Sequence, residues 1–136
     1  MPEQFTILFR NQTGNEVTGT LRIDDDEDDC TVTFESPIAE ITVTDFDAFD
    51  AFCRIRERIE VSGWRAICYG ASQNCWPGGF CRSMAYGLKV YRLTMNRPAT
   101  MNDVLETFET GLDVVPATVK EQADYYQRWI ESQKSR

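Results

Sequence analysis

The sequence contains no histidine among its 136 residues. Because histidine is the side chain that ordinarily changes charge between about pH 5 and 8, its absence excludes histidine-dependent nucleophiles and the usual general base. Glycine-rich phosphate-binding loops are missing too, since neither G-x-G-x-x-G nor G-x-x-x-x-G-K occurs. The 22 acidic residues offer many carboxylate pairs, and the sequence singles out none of them. We therefore predict no catalytic residue, no cofactor and no enzymatic activity.

Long apolar runs are also missing, and no stretch approaches the roughly 20 residues that span a bilayer. The amino-terminal stretch MPEQFTILFRNQ lacks the basic region and the apolar core of a secretory signal, so we expect a cytoplasmic protein. The net charge of −8 disfavours nucleic acids and anionic membranes as partners, because basic residues dominate phosphate binding. Such a charge favours either solubility alone or a basic protein partner.

The five cysteines form no recognisable metal or disulfide pattern. Their number is odd, no C-x-x-C pair occurs, and structural zinc sites normally use closely spaced ligand pairs. We therefore predict no metal site and expect small, reduced thiols that are buried or half-buried. The cysteines are Cys30, Cys53, Cys68, Cys75 and Cys81.

Negative charge is absent from residues 64–100, which hold five basic residues and no Asp or Glu. Proline and glycine in CWPGGFCRSMAYG (75–87) predict a turn between strands at 64–69 and 88–93. The cationic side chains Arg82, Lys89, Arg92 and Arg97 either pair with acids of the amino-terminal half or belong to a binding surface. In the second case Trp76, Phe80 and Arg82 would form it, since Trp and Arg are enriched at interface hot spots.

An uninterrupted acidic run occupies residues 24–29. A calcium-binding loop requires a glycine at its sixth position, where this run has an aspartate, so we exclude that reading. Two readings stay open: a solvated hairpin loop, or an electronegative surface that steers a cationic partner. The run consists of Asp24, Asp25, Asp26, Glu27, Asp28 and Asp29.

Apolar residues alternate with polar ones in the first 45 residues, at 5–9, 17–23, 30–34 and 41–43. This period-two pattern, interrupted by turn-forming segments, is typical of antiparallel strands. With the strands at 64–69 and 88–93, we predict an antiparallel sheet of five to six strands.

Two long helices are predicted, over 45–61 and 118–133, and a short one over 100–110. The first has an apolar stripe, and Asp47 and Asp50 lie on the opposite face, where a partner could contact them. Arg56 interrupts the stripe, and we expect its guanidinium to reach solvent or a carboxylate of the sheet. The stripe consists of Phe46, Phe49, Phe52, Cys53 and Ile59. The order of elements predicts one α+β domain over 1–136, with helices covering the sheet.

The segment YGASQNCWPGGFCRSMAYGLKVYRLT (69–94) resembles a stretch of small bacterial proteins, some of which are similar to immunity proteins of contact-dependent growth inhibition and related polymorphic toxin systems. The resemblance implies a cytoplasmic, acidic, single-domain protein that binds and occludes a toxin domain, commonly a basic nuclease. It assigns no individual residue. From charge and side-chain type we nominate the acidic run, Asp47, Asp50, Trp76 and Arg82 as partner-binding residues. The alternatives are a ligand- or anion-binding module built on 64–100 and an enzyme that works without histidine.

Overall fold

The computed structural model describes residues 3–26 and 28–134. Four strands form an antiparallel meander at the amino terminus, and a short fifth strand follows the first helix, α1 (Ala48–Glu60). The strands are β1 (Glu3–Arg10), β2 (Glu16–Asp25), β3 (Cys30–Glu35), β4 (Glu40–Asp45) and β5 (Arg65–Ala66). They form a sheet in the order β4-β3-β2-β1-β5 with every neighbouring pair antiparallel. The predicted α+β fold is therefore confirmed.

The period-two pattern places one face of this sheet against α1. Leu21, Val32 and Phe34 are fully buried there, together with Phe52 and Ile55 of α1. Alternate residues such as Thr31 and Thr33 point to the other face of the sheet. The core thus forms between one sheet face and one helix, as in other two-layer domains.

Helix α1 begins three residues later than predicted. Its N-cap is Asp47, whose Oδ1 accepts the backbone N–H of Asp50 at 2.8 Å, while Asp45 still belongs to β4. Phe46 consequently precedes the helix and is 83% exposed, so its assignment to the buried stripe was wrong. The remaining stripe positions are buried as the helical period requires.

The second half of the chain forms a smaller antiparallel sheet and two further helices. The sheet, in the order β6-β7-β8, consists of β6 (Cys75–Trp76), β7 (Lys89–Arg92) and β8 (Val104–Glu106). Helix α2 (Gly79–Ala85) fills most of the segment predicted as a turn. The predicted strand at 64–69 is reduced to β5, and a 3₁₀ turn at Tyr69–Ala71 follows it.

The predicted helix at 100–110 is wrong beyond its first turn. Thr100 and Asp103 form a reciprocal cap, but only a 3₁₀ turn, Met101–Asp103, follows. Pairing with β7 then draws the chain into β8. Helix α3 (Val119–Lys134) matches its prediction within one residue, with Thr118 and Glu121 capping each other's backbone N–H groups.

Arg56 is buried at 1% exposure and joins α1 to α3. Its guanidinium donates to Gln122 Oε1 at 2.6 Å and to the Ala117 carbonyl at 2.9 Å, and lies 3.9 Å from Glu60 Oε1. Gln122 in turn donates to the carbonyl of Gly70 at 2.9 Å. The expectation that Arg56 reaches solvent or a sheet carboxylate was wrong, because Gln122 of α3 and the carbonyl of Ala117, just before α3, accept its hydrogen bonds instead.

Candidate functional site

An open cavity of about 500 Å³ lies where the β2–β3 hairpin, the start of α1 and helix α2 meet. Asp24 and Asp25 of the acidic run end β2, and the turn that follows is closed by the Asp26 N–H, which donates to the Asp29 carbonyl at 2.8 Å. The cavity therefore collects acids that are about 20 residues apart in the sequence. The acids that line it are Asp25, Asp26, Asp28, Asp29, Asp47 and Asp50.

Arg82 is the single basic side chain among the described residues that line this cavity. Its Nη1 donates to Asp50 Oδ1 at 3.0 Å and to Asp47 Oδ2 at 3.1 Å. The guanidinium also lies 5.3 Å from the ring centre of Phe49 and 6.0 Å from that of Trp76. Arg82 thus fastens α2 to the first turn of α1 by charge-assisted hydrogen bonds and cation–π contacts.

Burial and charge act in opposite directions on this ion-pair cluster. Burial raises the pKa of Asp47 above its ordinary value, although the N–H of Asp50 and the charge of Arg82 counteract part of that effect. Burial acts to lower the pKa of Arg82, but the hydrogen bonds and charges of Asp50 and Asp47 outweigh it and raise that pKa. Arg82 therefore stays a cation, and its role is to hold two carboxylates on the cavity wall.

Asp24, Asp25, Asp28 and Asp29 of the hairpin are compensated less than Asp47 and Asp50. Asp24 lies 3.9 Å from Arg22, and Asp25 accepts a hydrogen bond from the Cys30 thiol. Burial first, and this hydrogen bond second, raise the pKa of Cys30 to about 12. Within residues 3–26 and 28–134, Asp28 and Asp29 make no ion pair. With six acids and one base, the cavity is strongly electronegative.

Exposed apolar side chains border the acidic cavity. Phe46 and Tyr86 line it, and Met84 is exposed on the same short helix. Tyr86 ends α2 in the left-handed conformation at φ 55°, and its carbonyl accepts the N–H of Ala48 at 3.1 Å. Large exposed apolar groups that are rimmed by polar residues are typical of surfaces that bind proteins.

Gly87 explains how closely α2 approaches α1. Its φ is +78°, and a Cβ there would lie 2.7 Å from the backbone nitrogen of Phe49 and 2.9 Å from Cγ of Asp47. Neither distance is compatible with a side chain. Glycine at this position therefore permits the contact that places Arg82 within reach of its two carboxylates.

The structure brings most of the nominated residues together. Asp47 lines the cavity as the N-cap of α1 but is buried at 6% exposure, so its expected place on the open face of the helix was wrong. Asp24 adjoins the cavity without lining it, and Glu27 lies outside the described residues. Trp76 lies behind Arg82, packed edge-on against Phe49 and stacked on Tyr126, so it does not line the acidic cavity. Phe46 was misassigned and Tyr86 was missed, because no local pattern shows that these rings flank the acids.

The other basic residues of 64–100 find nearer partners than expected. Lys89 pairs with Glu106 at 2.8 Å, Arg97 lies 3.7 Å from Asp103, and Arg92 pairs with Asp113. These acids belong to the carboxyl-terminal part of the chain, so pairing with the amino-terminal half holds for Arg82 alone among the four. The cationic segment is thus largely neutralised within its own half of the fold.

All five cysteines are buried free thiols, and burial is the main cause that raises the pKa of each. In the described part of the chain, no three acidic or thiol side chains are grouped so that they could hold a metal ion. None of the helices described has the length and apolarity needed to traverse a lipid bilayer. In comparisons with known proteins, no family model and no curated sequence matches this chain.

Proposed function

We propose that this chain is a cytoplasmic immunity protein that binds a cognate toxin domain, a basic nuclease in the simplest case, and occludes its active site stoichiometrically. The observation that carries the proposal is the convergence of two separate groups of acids on one open cavity. One group comes from the β2–β3 hairpin and the other from the start of α1. The exposed rings of Phe46 and Tyr86 border both groups.

The charge distribution suits a nuclease as the target. Nucleases hold phosphates with cationic side chains, and an acidic surface competes for the same groups. Complementary charge also raises association rates, up to about 10⁸–10⁹ M⁻¹s⁻¹ at low salt against about 10⁵–10⁶ M⁻¹s⁻¹ without it. Fast capture matters for an inhibitor, because an uninhibited toxin damages the cell that makes it.

Rigidity of the acidic surface supports occlusion rather than enzymatic destruction of the toxin. The Arg82 contacts fix Asp47 and Asp50, and the Gly87 contact fixes α2 against α1. A surface that is ordered before binding loses less conformational entropy in the complex. In this proposal the protein makes and breaks no covalent bond.

The experiment is co-expression with the polypeptide encoded beside this chain, which in this proposal is the toxin. We expect that polypeptide to arrest growth alone, and this protein to restore growth and to co-purify with it in equimolar amounts. A bound toxin domain should also lose its nuclease activity in vitro. Growth arrest that persists despite equimolar folded immunity protein would contradict the proposal.

The alternative of an anion-binding module has less support. Of the five bases in 64–100, Arg82, Lys89, Arg92 and Arg97 each have a carboxylate partner, so their charges are already compensated. An anion would have to displace these acids. Thermal stabilisation by phosphate or sulfate that is lost in Arg82→Ala would favour this alternative over the immunity function.

A further inference from the structure

A second cavity, of about 440 Å³, lies on the other side of α2 and is lined without any charged side chain. Trp76 and Tyr126 stack with ring centres 4.9 Å apart, and Tyr126 and Trp129 follow at 6.2 Å, so three rings are nearly parallel. Phe80 of α2 and Pro98 complete the walls. We call this cavity the aromatic groove. Its uncharged lining contrasts with the acidic cavity beyond α2.

The aromatic groove is preformed, because the chain segment 93–97 beside it is hydrogen-bonded to α3. The indole N–H of Trp129 donates to the carbonyls of Thr94 and Arg97, each at 3.0 Å. The Tyr125 hydroxyl donates to the Leu93 carbonyl at 3.2 Å. These hydrogen bonds hold the segment before the 3₁₀ turn Met101–Asp103 in place, so a ligand would not have to order it.

Two polar groups of the groove are uncommitted within the described residues. The Trp76 indole N–H and the Tyr126 hydroxyl make no hydrogen bond there. Aromatic grooves with such donors bind proline-rich segments in the polyproline II conformation, whose rings pack on aromatic faces and whose carbonyls accept hydrogen bonds. An acidic segment would find no cationic partner in this lining.

The aromatic groove and the acidic cavity adjoin at α2, because Gly79 lines both. Helix α2 separates the two cavities, and an α-helix with its side chains is about 10–12 Å across. A polyproline II segment rises about 3.1 Å per residue, so three or four residues cross a ridge of this size. A basic residue that far from a proline would reach the acids while the proline occupies the groove.

We propose that the surface on both sides of α2 binds one extended peptide segment with a basic end, seated in the acidic cavity, and a proline-containing end, seated in the aromatic groove. The inference rests on the proposed function for the source of the segment, which would be an exposed loop or tail of the toxin. It adds the conformation and residue pattern that the toxin would present. Binding of short peptides tests it independently of toxin neutralisation.

The probes are three synthetic peptides added to the protein, and binding is followed by calorimetry and by tryptophan fluorescence, to which Trp76 and Trp129 of the groove contribute. The first is acetyl-RKAPPLPPA-amide. The second, acetyl-QQAPPLPPA-amide, lacks the basic end, and the third, acetyl-RKAAALAAA-amide, lacks the prolines. We expect the first peptide to bind at least about tenfold more tightly than either control, which corresponds to about 1.4 kcal/mol. Only peptides with the basic end should bind more weakly as salt is added.

Protein variants locate the binding surface. Phe80→Ala removes a ring that is 46% exposed, and Tyr126→Phe removes only a hydroxyl, so both variants should fold. The control is Leu112→Ala, which changes a fully exposed residue outside both cavities. We expect Phe80→Ala to weaken the first peptide at least about fivefold, Tyr126→Phe to weaken it less, and Leu112→Ala to leave it unchanged. Absence of binding at about 1 mM, equal binding of all three peptides, or unchanged binding by folded Phe80→Ala would overturn the inference. Toxin neutralisation without peptide binding would refute this inference alone, whereas peptide binding without neutralisation would refute the proposed function.

Discussion

Replacing Arg82 with methionine tests whether this side chain holds α2 on α1. Methionine keeps the apolar stem near Phe49 but removes the guanidinium that donates to Asp47 and Asp50. Asp47 is 6% exposed, so its charge would be left buried with the Asp50 N–H as its remaining hydrogen-bond donor. Removing one partner of such a pair costs more than the net value of the pair itself.

The expected loss in the free energy of unfolding at pH 7 is about 2–3 kcal/mol. A hydrogen bond to a charged group contributes about 1.5–3 kcal/mol, and the cation–π contacts about 0.5–1 kcal/mol each. The Arg82 side chain is 31% exposed, and water replaces part of what is lost, so these contributions do not add fully. For a chain of this length the loss corresponds to a decrease in Tm of roughly 6–12 °C.

The loss should depend on pH in one direction. Burial raises the folded-state pKa of Asp47 above its ordinary value of 3.8, so folding becomes less favourable as the pH rises from that value through the folded pKa. Arg82 opposes this effect, and without it the pKa of Asp47 rises further. The difference in the free energy of unfolding between Arg82→Met and the unsubstituted protein should therefore be largest near neutral pH. It should shrink below about pH 4, where Asp47 is protonated in the folded and in the unfolded state.

Urea unfolding at several pH values measures both effects. Arg58→Met is the matched control, because Arg58 is exposed on α1 and makes no ion pair among the described residues; we expect it to cost less than about 0.5 kcal/mol. Arg82→Lys keeps the charge but cannot reproduce the planar fork, so it should lie between the two. A loss below about 0.5 kcal/mol for Arg82→Met, or a loss that does not change with pH, would refute the reasoning.

Three further predictions concern the interior. Arg56→Met should lower the free energy of unfolding by about 3–5 kcal/mol. A double-mutant cycle with Gln122→Leu should show a coupling energy of at least about 1 kcal/mol, because the two side chains share one buried hydrogen-bond network. Strictly additive losses would contradict this prediction. Gly87→Ala should lower the free energy of unfolding by well over 2 kcal/mol, and Gly14→Ala by about 1 kcal/mol. Both glycines have positive φ, but only Gly87 lacks room for a Cβ. Equal losses of stability in thermal unfolding would be inconsistent with this packing. The five buried thiols should resist a thiol reagent at pH 8 for as long as the protein stays folded and should all react in urea, and rapid reaction without urea would show that the thiols are accessible.

The sequence predicts the main sheet and the two long helices because their patterns are local. Alternation around Val32 and Phe34 places one face of the sheet in the core, and the Thr118–Glu121 cap gives the start of α3. Helix α2 was not predictable, since Gly78 and Gly79 indicate a turn. Its seven residues depend on a tertiary contact, the ion pairs of Arg82 with α1.

The sequence predicted most residues of the candidate site but not their position around one cavity. Charge alone nominates Asp28 and Asp47, and nothing local indicates that the hairpin and the helix start face one cavity. Phe46 fits the apolar period of α1, yet the cap at Asp47 places it outside the helix and in solvent. Periodicity describes one element at a time, whereas the cavity depends on how the hairpin, α1 and α2 pack.

The most direct test of the central claim is the rate at which the protein associates with its toxin domain as salt is varied. The hairpin variant carries Asp26→Asn, Asp28→Asn and Asp29→Asn. The control variant carries Glu35→Gln, Glu40→Gln and Glu109→Gln, which lie outside the cavity and change the net charge by the same amount. By stopped-flow fluorescence, the hairpin variant should associate at least about tenfold more slowly at low salt and respond less to added salt, while the control stays near the unsubstituted rate. Equal rates for the two variants would contradict an acidic surface that captures the toxin at this cavity.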